Sequence, residues 1–214
     1  MKVCIIGDGL VSLTLANVLV KKELFVDIIS NKKNNRNDKS RTLGISKSNI
    51  DYFNKEIVNI KKILWNIDHI KIYTEKSPSK EILNFNDNNK SIFSIVKNYK
   101  LQTLLHNKLK KNKFIKFKTN MTYPDIIKQQ YKLIINCDIN NQITKKFFYN
   151  KIEKNYNSYA YTTTIKHKKI IDNKTAFQTF TNNGPIAFLP ISETQTSVVY
   201  SLRSKKKKSF FDIR

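Results

Sequence analysis

A chain of 214 residues with a hydrophobic share of 40% can bury the core of one large domain or two small ones, so it is globular rather than disordered. Its formal net charge of +24, from 40 Lys and Arg against 16 Asp and Glu, would by itself suit nucleic acid or an anionic membrane surface. The excess is almost wholly lysine, however, and it runs along the whole chain with abundant Asn, Ile, Phe and Tyr. That is the usage of A/T-rich codons, and neither clustered arginines nor an aromatic stacking motif supports a nucleic-acid partner.

The chain opens with an apolar, β-branched run, Lys2 to Ile6, which breaks at Gly7-Asp8-Gly9 before an apolar-periodic stretch from Leu10 to Val20. This reads as strand, tight turn and helix. A second apolar run, Phe25 to Ile29, completes a βαβ unit and predicts a parallel sheet. Residues 31–39 hold no apolar anchor and read as a solvated loop. Beyond them Ile50, Phe53, Ile57, Ile60 and Leu64 recur at helical spacing, with Ser48 as a candidate cap and Asp51 in the first turn. Ile70 to Tyr73 and Ile92 to Val96 read as strands that leave the first sheet, flanking a polar connection. Leu101, Leu104, Leu105 and Leu109 mark a further helix, after which Phe114 to Phe117 and Leu133 to Ile135 return to the parallel sheet. From Tyr159 the pattern alternates, with Tyr159, Tyr161, Thr163 and Ile165 on one face and further strands around Phe177, Phe188 and Val198. Strands without helices between them predict an antiparallel sheet. The tail from Arg203, with its four lysines, has no evident partner element.

Cys4 and Cys137 lie in apolar strand-like runs and read as buried small hydrophobes, without the spacing of a metal pair or a disulfide framework. A reducing cytoplasm is the expected compartment. The N-terminal stretch is interrupted by Asp8 and Gly9 and lacks the parts of a signal peptide, and no run is long enough to span a bilayer. His69, His106 and His167 are scattered among polar residues and read as surface histidines. No nucleophile, metal set or catalytic triad is expected.

The turn at Gly7, Gly9 and Ser12, set between strand and helix, matches the dinucleotide fingerprint. Gly7 would permit the tight turn, and Gly9 would let a pyrophosphate approach the backbone at the helix N-terminus. Ser12 holds the third position, where a small residue allows close packing of helix on strand. The acidic residue expected at the end of the second strand is replaced by Ser30, whose hydroxyl can make one hydrogen bond but not the charge-assisted, two-oxygen grip of a carboxylate.

Further motifs extend along the chain in order. They are Ser40-Arg41-Thr42-Leu43-Gly44-Ile45-Ser46 ahead of a helix expected to end in Leu64-Trp65, then Val96-Lys97-Asn98 with Leu101-Gln102, and finally the stretch Ala176 to Ile191 with its Phe180-Thr181, Gly184-Pro185 and Leu189-Pro190. On these residues the chain resembles the FAD-dependent aromatic hydroxylases of ubiquinone biosynthesis. The resemblance implies an α/β fold: a Rossmann-type FAD-binding parallel sheet (residues 1–66 and 97–150), a second, mostly antiparallel substrate-domain sheet (67–96 and 151–202) and a basic tail (203–214). It implies FAD as cofactor and NAD(P)H as co-substrate, with Gly7, Gly9 and Ser12 at the pyrophosphate, Arg41 near the adenosine and ribityl region, and Gln102 on the flavin side. Gly184 and Pro185 would lie near the flavin ring and the substrate.

The activity so implied is hydroxylation of the aromatic ring of a polyprenylated phenol, with other proteins of ubiquinone biosynthesis as expected partners; on charge alone, lysine-rich surfaces would dock to anionic headgroups at the inner face of a membrane. Two departures stand out. Where the family turns after its third strand on a glycine-rich motif, this chain has Asn136-Cys137-Asp138-Ile139, keeping only Asp138. The family's later glycine-aspartate motif is expected beyond Arg214, so the chain reads as C-terminally truncated. A non-catalytic relative serving as a binding or assembly subunit is the alternative reading.

Overall fold

A computed structural model describes residues 1–30, 39–86, 91–150 and 152–204. In chain order its elements are β1 (Lys2–Ile6), α1 (Leu10–Lys21), β2 (Phe25–Ser30), β3 (Thr42–Ser46), α2 (Lys47–Tyr52), β4 (Leu64–Ile67), β5 (His69–Thr74), β6 (Leu83–Asn86) and β7 (Phe93–Lys97). There follow α3 (Asn98–Lys110), β8 (Ile115–Thr119), α4 (Tyr123–Lys128), β9 (Leu133–Asn136), α5 (Gln142–Phe147), β10 (Ser158–Lys166), β11 (Thr175–Thr181), β12 (Gly184–Ser192) and β13 (Gln195–Arg203). The loop expected at 31–39 and the lysine tail fall largely outside the described residues.

The chain forms two compact units, Met1–Asn37 with Tyr52–Ile60 and Tyr99–Ile152, and Asp38–Asp51 with Lys61–Asn98 and Glu153–Arg214. The division differs from the one suggested by the sequence: residues 38–51 and 61–66 go with the second unit. The reason is strand pairing, because β3 and β4 both hydrogen-bond to β7 rather than to the parallel sheet.

In the first unit four parallel strands run in the order β8-β2-β1-β9. Such strands are covered on both faces, which explains the near-continuous apolar runs of β1 and β2. Val3, Ile5, Val26 and Ile28 are fully buried, and α1 packs on β1 and β2 through its own buried residues, Leu13, Ala16 and Val20 among them. The alternate residues Cys4, Ile6 and Ile29 form a separate cluster with Ile126 of α4 and Ile143 of α5. α4 is held by a capping box between Thr122 and Asp125 with Pro at its start, and α5 by Asn141, whose side chain accepts from the Thr144 N–H.

One charge is buried in this sheet. Asp27 is 2% exposed, accepts a hydrogen bond from the Tyr131 hydroxyl at 2.6 Å and pairs with Lys118 at 2.8 Å and Lys2 at 3.5 Å. Burial pushes its pKa up, but the hydrogen bonds from Lys118 and Tyr131 and the charges of Lys118 and Lys2 outweigh it and hold the carboxyl below its ordinary value. Cys4 beside it is pushed up to about 12, first by burial and then by the Asp27 charge. It is an inert thiol, as its strand position suggests. Cys137 is only half-buried.

The second unit holds a six-stranded sheet in the order β10-β13-β12-β11-β5-β6, antiparallel except for the parallel pair β11/β5. It also holds an antiparallel three-stranded sheet, β3-β7-β4. Ile67, Ile95, Ala176 and Ile191 form a buried cluster in this unit, with Trp65 and Phe93 against it. The fold class is therefore the expected one, an α/β parallel sheet with a second, mostly antiparallel assembly.

Four local expectations fail. The helix after Ser46 ends by Ile57: α2 passes into a π-turn, Phe53–Ile57, and Val58 is extended, its N–H returning to the Phe53 carbonyl at 2.7 Å. The Asn54 side chain then accepts from the Ile60 N–H at 2.9 Å. Leu64-Trp65 thus opens β4 instead of closing a helix. Ser46, not Ser48, accepts the N–H of Asn49 at the helix start. The connection between β5 and β7 contains a strand, β6, that its Asn-rich sequence conceals. The face of Tyr159, Tyr161 and Thr163 is half-buried as expected, but Ile165 is exposed.

Candidate cofactor site

The C-terminal ends of β1, β2 and β9 meet where the strand order reverses, since β1 is followed on one side by β2 and on the other by β9. That crevice is where open α/β sheets bind ligands. Gly7 leaves β1 with φ +105°, and its N–H is held by the Ile29 carbonyl at 2.8 Å. A Cβ there would sit in the left-handed region and 3.3 Å from Ser12 Oγ, so Gly7 and the 1% exposed Ser12 let strand and helix pack closely. Gly9 is the N-cap of α1, with φ −73° and no side-chain cap. A Cβ on Gly9 would meet nothing within 4 Å. The first turn of α1 thus has no side-chain cap at Gly9, and the positive end of the helix dipole lies there.

Gln102 is in the same unit and does something the sequence does not reveal: its Nε2 donates to the Asp8 carbonyl at 3.1 Å. It pins the middle of the glycine turn from α3.

A cavity of about 320 Å³ lies at the C-terminal ends of the strands, lined by Ile6 and Ile29, by Ser30 and Asp138 at their ends, and by Asn120, Tyr123 and Ile143 among others. Ser30 and Asp138 thus share one cavity. The Asp138 turn contains no positive φ and is built from side chains: Asp138 accepts the Asn140 N–H at 2.9 Å, and its carbonyl accepts from Asn141 and Thr144. Asparagine and threonine side chains here do the work that a glycine-rich turn does elsewhere. Apart from Asp138, the cavity residues from the loops after β8 and β9 were not anticipated. The run Thr122-Tyr123-Pro124-Asp125 was a readable signal for the first of these loops.

The arrangement fits the adenosine and pyrophosphate part of a dinucleotide: a bare helix N-terminus over a glycine with open space in front of it, and an apolar-floored cavity carrying a hydroxyl and a carboxylate. The remaining predicted residues belong to the second unit. Arg41 is exposed and belongs to the second unit, where its carbonyl accepts from the Asn98 N–H at 3.0 Å. Gly184 and Pro185 open β12, and a Cβ on Gly184 would fall 1.9 Å from the Ser201 carbonyl oxygen, so this glycine is required inside its own sheet. The histidines are half-buried rather than on the surface. His106 sits 4.6 Å from the Phe117 ring, its pKa lowered by burial and by Lys110, and His167 Nε2 lies 3.0 Å from Thr196 Oγ1.

No protein-family model matches the chain. Ubiquinone biosynthesis monooxygenase COQ6, mitochondrial, of Xenopus tropicalis is 34% identical over 90 residues, 38% of this chain and 19% of that protein. Among solved structures, PqsL of Pseudomonas aeruginosa, a probable FAD-dependent monooxygenase, superposes with a TM-score of 0.71 at 12% identity, over 95% of this chain and 60% of that one. HpxO of Klebsiella pneumoniae, in complex with FAD and uric acid, gives 0.73 at 10% identity over 98% and 58%. CtdE in complex with FAD gives 0.70 at 13% identity over 98% and 61%. The chain spans less than two thirds of the length of each of these proteins. The structural matches establish that the chain has the fold of FAD-dependent monooxygenases, and the likeness to the ubiquinone enzyme supports the resemblance seen in the motifs.

Proposed function

We propose that this chain holds FAD on its parallel sheet and acts as an FAD-dependent monooxygenase, hydroxylating the ring of a polyprenylated phenol with NAD(P)H as reductant and O2 as oxygen source. The observation that carries the reading is the open space over Gly9 together with the Ser30 and Asp138 cavity, in a fold shared with FAD complexes. The phenolic substrate class is supported by the likeness to a ubiquinone biosynthesis enzyme.

Bound flavin supplies the redox chemistry that places one oxygen atom of O2 on an electron-rich ring. The chain's own residues bind and orient. Gly7 and Gly9 bring the backbone against the pyrophosphate, and the first turn of α1 donates N–H groups to it. Ser30 would offer a hydroxyl to the adenosine ribose, and Asp138, which lines the same cavity, an acceptor. Gln102 holds the turn in shape through the Asp8 carbonyl. Roles for Arg41 near the adenosine and ribityl region, and for Gly184 and Pro185 near the substrate, rest on the resemblance alone.

A lipid-soluble phenol is reached most readily at a membrane surface. Among the described residues no helix is long and apolar enough to cross a membrane, and the net charge of +24 favours contact with anionic headgroups. Co-sedimentation with vesicles should rise with their anionic lipid content.

The test is incubation with FAD, NAD(P)H, isotopically labelled O2 and a prenylated phenol in micelles, read by mass spectrometry. One labelled oxygen on the ring is the expected product. Retained FAD without ring oxygenation would overturn the monooxygenase reading and favour a cofactor-binding subunit. Loss of both would favour the non-catalytic alternative, to which the serine at position 30 lends some weight.

A further inference from the structure

In the first unit, α5 buries one residue, Ile143, and closes on the sequence Lys145-Lys146-Phe147-Phe148-Tyr149. Phe148 is its C-cap, with its N–H returning to the Thr144 carbonyl at 2.9 Å, and the chain runs on to residue 150 without joining a helix or strand. The three aromatic side chains therefore stay outside the core that Ile126 and Ile143 build on the sheet. Phe147 is 53% exposed, Phe148 61% and Tyr149 71%. Phe147 leans on Tyr123 of α4, ring centres 5.8 Å apart. Ile127, one helical turn beyond Tyr123 and so on the same face of α4, is 50% exposed. Lys146 Nζ lies 4.7 Å from the Tyr123 ring centre and 5.6 Å from that of Phe147. Lys145 beside it and Lys128 at the end of α4 are exposed, while Asp125 of α4 is occupied by the cap at Thr122.

We infer that this patch docks on an anionic lipid surface, its rings entering the headgroup layer and its lysines meeting the phosphates. Apolar side chains exposed singly need no partner, whereas a contiguous cluster marks an interaction surface. The lysines decide between kinds of partner. Lysine is depleted at protein interfaces, but rings and lysines together suit the boundary of a bilayer, where the ring is buried and the long ammonium chain reaches back to the phosphates. The inference rests on the membrane contact proposed above and gives it a place, with rings as well as net charge making the bound state.

The experiment is co-sedimentation of the full chain with vesicles of phosphatidylcholine alone and of phosphatidylcholine and phosphatidylglycerol in equal parts, with hydrogen exchange read by mass spectrometry. Wild type should bind the anionic vesicles, and exchange at residues 145–150 should slow on binding. Phe148→Ser with Tyr149→Ser, at exposed positions outside the cofactor cavity, should weaken that binding by about tenfold or more, for want of buried ring surface. Lys145→Gln with Lys146→Gln should weaken it by about tenfold and change nothing on phosphatidylcholine alone. Wild-type binding by the Phe148 and Tyr149 variant, or slowed exchange confined to other parts of the chain, would overturn the inference and leave only a diffuse attraction by net charge. No binding to either vesicle would overturn it together with the membrane contact. Slowed exchange at residues 145–150 on raising the protein concentration without lipid would overturn it in favour of a second copy of the chain. Exchange is read on wild type, so the test stands even where a variant fails to fold. FAD retention on the same samples should not change, which separates failure here from failure of the cofactor site.

Discussion

The chain has four glycines, and two of them, Gly9 and Gly184, open turns in opposite surroundings. A Cβ on Gly184 would strike the Ser201 carbonyl oxygen at 1.9 Å, and its φ of +135° is a conformation that L side chains rarely adopt. A Cβ on Gly9 would touch nothing, and its φ of −73° is open to any residue. The fold demands glycine at 184 and does not demand it at 9. A glycine that the protein itself leaves room to replace, at the uncapped N-terminus of a helix, suits the proposed approach of a pyrophosphate to the backbone.

The contrast can be broken by substitution. Gly184→Ala combines a backbone clash with a disfavoured φ and should cost roughly 3 kcal/mol or more of stability, read as a shift in the urea midpoint. A cost near zero would remove one half of the comparison. Asp27→Asn should come next, at roughly 2 kcal/mol, because it leaves Lys118 facing a neutral amide at a buried position. The same carboxylate sets a pH dependence. Its pKa is lowered in the folded chain, so its contribution is complete above the unfolded value of about 3.9 and is lost as pH falls through the lower folded value. Acid titration of the midpoint should show wild type losing stability below about pH 4 and Asp27→Asn losing less.

Gly9→Ala sharpens the other half. Stability should fall by no more than about 1 kcal/mol, alanine being a poorer N-cap than glycine. FAD should bind about tenfold more weakly, near 1.4 kcal/mol, by equilibrium dialysis. Gln102→Leu, which removes the hydrogen bond to the Asp8 carbonyl without touching the glycines, should give the smallest effect. A loss of about threefold to fivefold in FAD affinity is expected, the size of one half-buried hydrogen bond.

Much of this was legible in the sequence, for reasons that differ along the chain. The β1-α1-β2 unit announces itself because buried parallel strands are continuously apolar and the turn between them needs Gly7. α3 is visible through Leu101, Leu105 and Leu109, all buried. The end of α2 is hidden because Ile57, Ile60 and Leu64 keep helical spacing by coincidence across a break made by Val58 and Asn54. β6 is hidden because its residues are all exposed. Membership of Arg41 and β3 in the second unit depends on pairing with β7, a nonlocal contact that no local pattern reports. At the site, Gly7, Gly9 and Ser12 were readable from spacing, whereas the loops after β8 and β9 owe their place to topology. The hydrogen bond from Gln102 to Asp8 could not be read from either residue.

The central claim is that the turn around Gly9 is shaped for FAD, and the direct measurement is the visible absorption spectrum of the purified chain after FAD is added and the excess removed, for wild type and Gly9→Ala side by side. Flavin bands near one per chain in wild type, and clearly fewer in a folded Gly9→Ala, are the predicted result. A folded wild type that retains no flavin, or retention that is indifferent to the substitution, would contradict it.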